Sequence, residues 1–62
     1  MELDLKVVDI NKEVDKYYDD IIFIELELQK EGLYYYTVRH YGFIDFVCSN
    51  VELNEEYKEI FS

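Results

Sequence analysis

The clearest periodic signal in the chain is IIFIELELQ, residues 21–29, where apolar and polar side chains alternate. Ile22, Ile24, Leu26 and Leu28 share one face of an extended chain there, and Phe23, Glu25, Glu27 and Gln29 share the other. Period-two alternation rich in β-branched residues predicts a strand. Lys30-Glu31-Gly32 follows, a three-residue loop with glycine placed for a left-handed position after a type I turn. His40-Tyr41-Gly42 repeats the pattern, so LYYYTVR before it and FIDFVC after it read as the second and third strands of an antiparallel meander.

These loops imply a register. If Gln29 pairs with Leu33, then Leu28 faces Tyr34, Leu26 faces Tyr36 and Ile24 faces Val38. If Arg39 pairs with Phe43, then Val38 faces Ile44, Tyr36 faces Phe46 and Tyr34 faces Cys48. One sheet face is then wholly apolar or aromatic across three strands, and a slip of one residue would turn all of it over. The opposite face carries Glu27, Tyr35 and Val47, then Glu25, Thr37 and Asp45, then Phe23, Arg39 and Phe43. Arg39 is placed to lie over a phenyl ring or to reach Glu25 and Asp45 diagonally.

The flanks are helical or extended. Residues 3–8, with Leu3, Leu5 and Val7 on one side, predict a strand that the pattern does not place in the sheet. Asn11 predicts an N-cap, and Val14, Tyr17, Tyr18 and Ile21 predict a helix over 12–19. Ser49-Asn50-Val51-Glu52 fits a capping box, and Leu53, Tyr57, Ile60 and Phe61 form an apolar stripe, predicting a helix over 51–61. The expected order is β-α-β-β-β-α. It describes a single α+β domain over 1–62, with a three-stranded antiparallel meander, an N-terminal strand and two short helices packed on one face.

Charge changes the picture of what this domain meets. Fifteen acids against six bases give a net charge of −9 on 62 residues, which repels phosphate backbones and anionic membranes and attracts basic surfaces. Half the residues are hydrophobic and 18% aromatic, so the chain folds rather than forming an acidic tail. A core this small invites help from a partner chain, and a homodimer is one expectation. Cys48 is the one cysteine, which excludes an internal disulfide. With no basic, apolar leader at MELDLKVV, it points to a reducing cytoplasm. No apolar run is long enough to span a bilayer.

The chemistry-bearing residues are sparse. RHYGFIDF, residues 39–46, resembles the RNP1 signature of RNA-recognition motifs, with Arg39, Tyr41, Gly42, Phe43, Ile44 and Phe46 matching and His40 replacing the first glycine. That resemblance implies base stacking, which the charge opposes, so no direct nucleic-acid binding is expected. Cys48 and His40 are separated by a strand whose five residues span roughly 17 Å, too far for a nucleophile and its base. Cys48 then reads as a small buried hydrophobe and His40 as a polar loop residue. Acid pairs at Asp19-Asp20, Glu55-Glu56 and Glu25 with Asp45 lack a pocket. The set supplies too few Cys and His for zinc and no calcium loop. We therefore expect no enzyme, no cofactor and no metal site.

A recognition surface remains, with Phe23, Tyr35 and Phe43 as aromatic anchors among Glu25, Glu27, Arg39 and Asp45. In size, charge and lack of catalytic machinery the chain resembles the small acidic proteins with which bacteriophages block host or defence enzymes. The resemblance implies an inhibitor that covers a basic, nucleic-acid or subunit-binding surface of a target protein. A homo-oligomeric structural or regulatory subunit is the alternative, and a small-ligand sponge with a site between subunits is another.

Overall fold

The computed structural model describes residues 5–62. Strand β1 (Val7–Val8) leads into helix α1 (Ile10–Tyr17) and a single 3-10 turn, Tyr18–Asp20. Strands β2 (Ile21–Lys30), β3 (Leu33–His40) and β4 (Phe43–Ser49) follow, and helix α2 (Glu55–Phe61) closes the described chain. The sheet order is β1-β4-β3-β2. The meander is antiparallel, whereas β1 lies parallel to β4 at the far edge, with Val7 opposite Cys48. The α+β class and the element order thus follow the sequence pattern, and β1 gains the position the pattern left open. Leu3 and the start of the predicted strand lie outside the described residues.

The two turns are shorter than expected, and this alters the sheet. Each hairpin closes over two residues, Glu31-Gly32 and Tyr41-Gly42. Glu31 and Gly32 both have positive φ, 54° and 79°, as a type I′ turn demands. Lys30 therefore pairs with Leu33, and Leu28 with Tyr35. A bulge at Glu27 then absorbs the extra residue, so Leu26 meets Tyr36 and Ile24 meets Val38 as the sequence predicts. A second bulge, at Ile22, carries the pairing to Ile21 and His40.

Strand β4 has no such bulge. His40 pairs with Phe43, Val38 with Asp45, Tyr36 with Val47 and Tyr34 with Ser49, so the whole strand is turned over relative to expectation. Ile44, Phe46 and Cys48 leave the helix side for the outer side, and Phe43, Asp45 and Val47 take their places. Two polar contacts hold this arrangement. Ser49, fully buried, accepts the amide of Ile10 at 3.0 Å, and His40 Nε2 lies 3.2 Å from Asp45 Oδ2.

The helices begin elsewhere than the caps suggest. Asp9, not Asn11, caps α1, and its carboxylate accepts the amides of Asn11 and Lys12 at 2.9 and 3.4 Å. Asn11 instead clamps the chain before α2, donating to Glu52 O at 3.1 Å and accepting from Asn54 N at 2.7 Å. Ser49 is engaged with Ile10 and Val51, so the proposed capping box does not form and α2 starts only at Glu55. Both helices pack on one sheet face around Ile10, Val14, Ile21, Ile24, Tyr36, Val38, Leu53 and Phe61. Tyr17, Tyr18 and Ile60, placed on apolar stripes by the sequence, stay substantially exposed.

Tyr57 of α2 donates its hydroxyl hydrogen bond to Asp15 of α1 and ties the helices together. The carboxylate first, and then partial desolvation, push its phenol up to about 12 from 10.0. A pKa raised in the folded state means that the contact stabilises the protein fully below the unfolded value of 10.0, and that this stabilisation is lost as pH rises towards 12. The phenolate absorbance lost in Tyr57→Phe should therefore appear later in an alkaline titration than that of the other tyrosines. Asp15→Asn should bring the Tyr57 titration down towards the ordinary value.

Candidate functional site

The outer face of the sheet is the surface that the fold leaves unexplained. Reading across its rows, Leu28, Tyr35, Cys48 and Val7 form the first. Glu25, Thr37 and Phe46 form the second, and Phe23, Arg39 and Ile44 the third. No helix covers it among the described residues, because both pack on the other side. Phe46 is 64% exposed, Leu28 50% and Ile44 45%, so large apolar side chains stand in solvent near the middle of the sheet. Scattered apolar exposure is ordinary, but a contiguous apolar patch on a small domain marks an interaction surface.

Polar groups frame the patch. Glu27, the bulge residue, accepts from the Thr37 hydroxyl at 2.9 Å, which fixes that carboxylate beside Glu25. Arg39 sits with its guanidinium 5.4 Å from the Phe23 ring centre, one of the two placements the sequence suggested. Tyr35 lies half-buried opposite Cys48, and desolvation followed by the neighbouring thiol raises its pKa. Cys48 itself is buried, as a small hydrophobe should be.

The structure therefore gathers Phe23, Glu25, Glu27, Tyr35 and Arg39 on one face, and it removes Phe43 and Asp45 from it. Asp45 belongs to the helix side, so the expected Arg39 to Asp45 contact and the Glu25 and Asp45 acid pair do not form. Phe43 stacks on His40 at 4.4 Å between ring centres with planes 7° apart. His40 is not a loop residue: it ends β3, is buried, and meets Tyr17 edge-on at 6.0 Å. Its Nε2 faces the Asp45 carboxylate, while Nδ1 has no hydrogen-bond partner among the described residues.

Sequence reasoning missed Leu28, Ile44 and Phe46 as surface residues. The signal that would have found them is the x-Gly dipeptide: a two-residue turn at Glu31-Gly32 sets Leu28 opposite Tyr35, and one at Tyr41-Gly42, read through β4, exposes Ile44 and Phe46. Among the described residues no three His, Cys, Asp or Glu side chains cluster as metal ligands, and no helix is long and apolar enough to cross a membrane. Comparison with known proteins gave no matching family model, no matching curated protein and no matching solved structure.

Proposed function

We propose that this protein works by binding another protein through the outer face of its sheet, as an acidic inhibitor that covers a basic functional surface of its target. One observation carries the reading. On the side of the sheet away from both helices, Phe46 and Ile44 of β4 stay 64% and 45% exposed, in the same rows as Thr37, Arg39 and Phe23. Covering that exposed surface is worth about 1–2 kcal/mol per side chain, which a partner supplies on binding. The net charge of −9, with Glu25 at the patch and Glu27 held there by Thr37, favours a partner rich in Lys and Arg. Small acidic inhibitors that bacteriophages direct against host or defence enzymes fit this size and charge.

The test compares capture of a partner by the native protein and by Phe46→Asp, with folding checked by circular dichroism. Loss of a central anchor should weaken the complex by about 2 kcal/mol or more, roughly thirtyfold. Reversing Glu25 and Glu27 to Lys should slow association, and added salt should slow that of the native protein. A complex indifferent to both changes would sink the reading.

A second reading has its own observation. The face carries both Glu25 and Arg39, so a two-fold related copy offers each its opposite charge around the same apolar centre. Light scattering separates the two readings, since a homodimer persists without any target, whereas a strict monomer removes this alternative.

A further inference from the structure

At the end of the sheet where β3 turns into β4 lies a shallow depression lined by Ile22, Arg39, His40, Gly42, Phe43 and Ile44. We propose that it binds a carboxylate carried on an apolar or aromatic group. The depression shares Arg39 and Ile44 with the outer face, but it is tested with small acids and no protein partner, so the two proposals fail separately.

Arg39 is the first argument. In a chain with only six cations among fifteen acids, every arginine or lysine has carboxylates to choose from. Lys58 takes two of them, Glu52 and Glu55, and is the one lysine with an ion pair among the described residues, so what sets Arg39 apart is its place in the wall of the depression. Arg39 makes neither an ion pair nor a side-chain hydrogen bond among the described residues. Its contact with Phe23 uses the charge but none of the five N–H donors. A guanidinium held over a ring with its planar fork unused is ready to donate to a carboxylate in the two-bond geometry. One cation in a strongly acidic protein suits a monoanion; a phosphate would need further positive charge that the depression lacks.

The walls are the second argument. Ile22 is the extra residue of a β-bulge, which aims a side chain away from the regular pleat, and it is 45% exposed. Phe43 is held by its stack on His40, and His40 is held in turn by Asp45 and the Tyr17 edge. The aromatic wall is thus fixed before any ligand arrives, which lowers the entropy cost of binding. Gly42, at φ 92°, turns the chain with no side chain to close the rim. A polar monoanion next to three apolar walls is the chemistry of a carboxylate with a hydrophobic body.

Two sources present that chemistry: a free small acid, and the C-terminal residue of a peptide chain. The experiment titrates the protein with phenylacetate, with phenethylamine, and with the tripeptide Gly-Gly-Phe as free acid and as amide, following backbone amide resonances. Phenylacetate should give saturable shifts centred on Ile22, Phe43 and Ile44, and phenethylamine should bind at least about tenfold more weakly. Arg39→Met should weaken phenylacetate by about tenfold or more, with Arg39→Lys retaining part of the affinity. Tighter binding of the tripeptide acid than of phenylacetate, lost in the amide, assigns the source to a chain terminus; the reverse order assigns it to a free acid. Absence of saturable shifts, equal binding of phenethylamine, or unchanged affinity in Arg39→Met overturns the proposal.

Discussion

Replacing Tyr36 by alanine should cost about 3–5 kcal/mol, the range for truncating a large core aromatic. A domain of 62 residues has roughly 3–9 kcal/mol of stability at ordinary values per residue, so the variant should stand at the edge of unfolding. Tyr36 is 3% exposed in the centre of β3 and packs within the cluster formed by both helices and the sheet. Its hydroxyl accepts the amide of Leu53 at 2.9 Å, and burial raises its pKa, the Leu53 contact opposing this. The residue therefore closes the core and receives the amide of the segment that leads into α2. Tyr36→Phe keeps the ring and orphans that amide, which should cost about 1–3 kcal/mol. Urea unfolding followed by circular dichroism measures both, and a harmless Tyr36→Ala would mean that the face assignment of β3 is wrong.

Ser49→Ala should be nearly as damaging for a smaller change in volume. The Ser49 hydroxyl accepts the amides of Ile10 at 3.0 Å and Val51 at 3.2 Å, and donates to Val51 O at 2.7 Å. Ile10 N is the first amide of α1, and a buried orphan there has no water to turn to. Losing these contacts together should cost about 2–4 kcal/mol. The urea midpoint should fall with an unchanged slope, while amide exchange rises first at Ile10 and Asn11. Protection unchanged at Ile10 would show that the hydroxyl is not its partner.

Much of this fold is legible in the chain. The alternation of 21–29 and the tyrosine face of β3 set β2 against β3 correctly over Ile24 and Leu26, even though the turn length was misjudged, because a bulge at Glu27 restored the pairing. Strand β4 is misread from the sequence because one of its faces, Ile44, Phe46 and Cys48, is wholly apolar, and the other, Phe43, Asp45, Val47 and Ser49, only half so. Hydrophobicity preferred Ile44 and Phe46 inside, whereas a two-residue turn and the tertiary partners of Asp45 and Ser49 placed them outside. The partner of Ser49 lies 39 positions away at the start of α1, where no local pattern announces it, and the partner of Asp45 is His40, which the sequence reads as a loop residue. The same inversion decided the fate of the candidate site: Phe23, Glu25, Glu27, Tyr35 and Arg39 held their face, and Phe43 and Asp45 lost it. The caps failed for a related reason, since Asp9, Asn11 and Ser49 are all plausible caps and only the tertiary structure assigns Asn11 and Ser49 to other work.

The parallel strand β1 imposes an order of assembly. Both hairpins of the meander join neighbouring segments through two-residue turns, so their closure needs little search. The contact from Ile10 to Ser49 instead spans 39 positions and has to wait for β4 to exist. Closing so long a loop carries a large entropy cost before β1 pairs with β4 over only Val7 and Val8. The meander can therefore close first, and β1 takes its edge position only once β4 is in place.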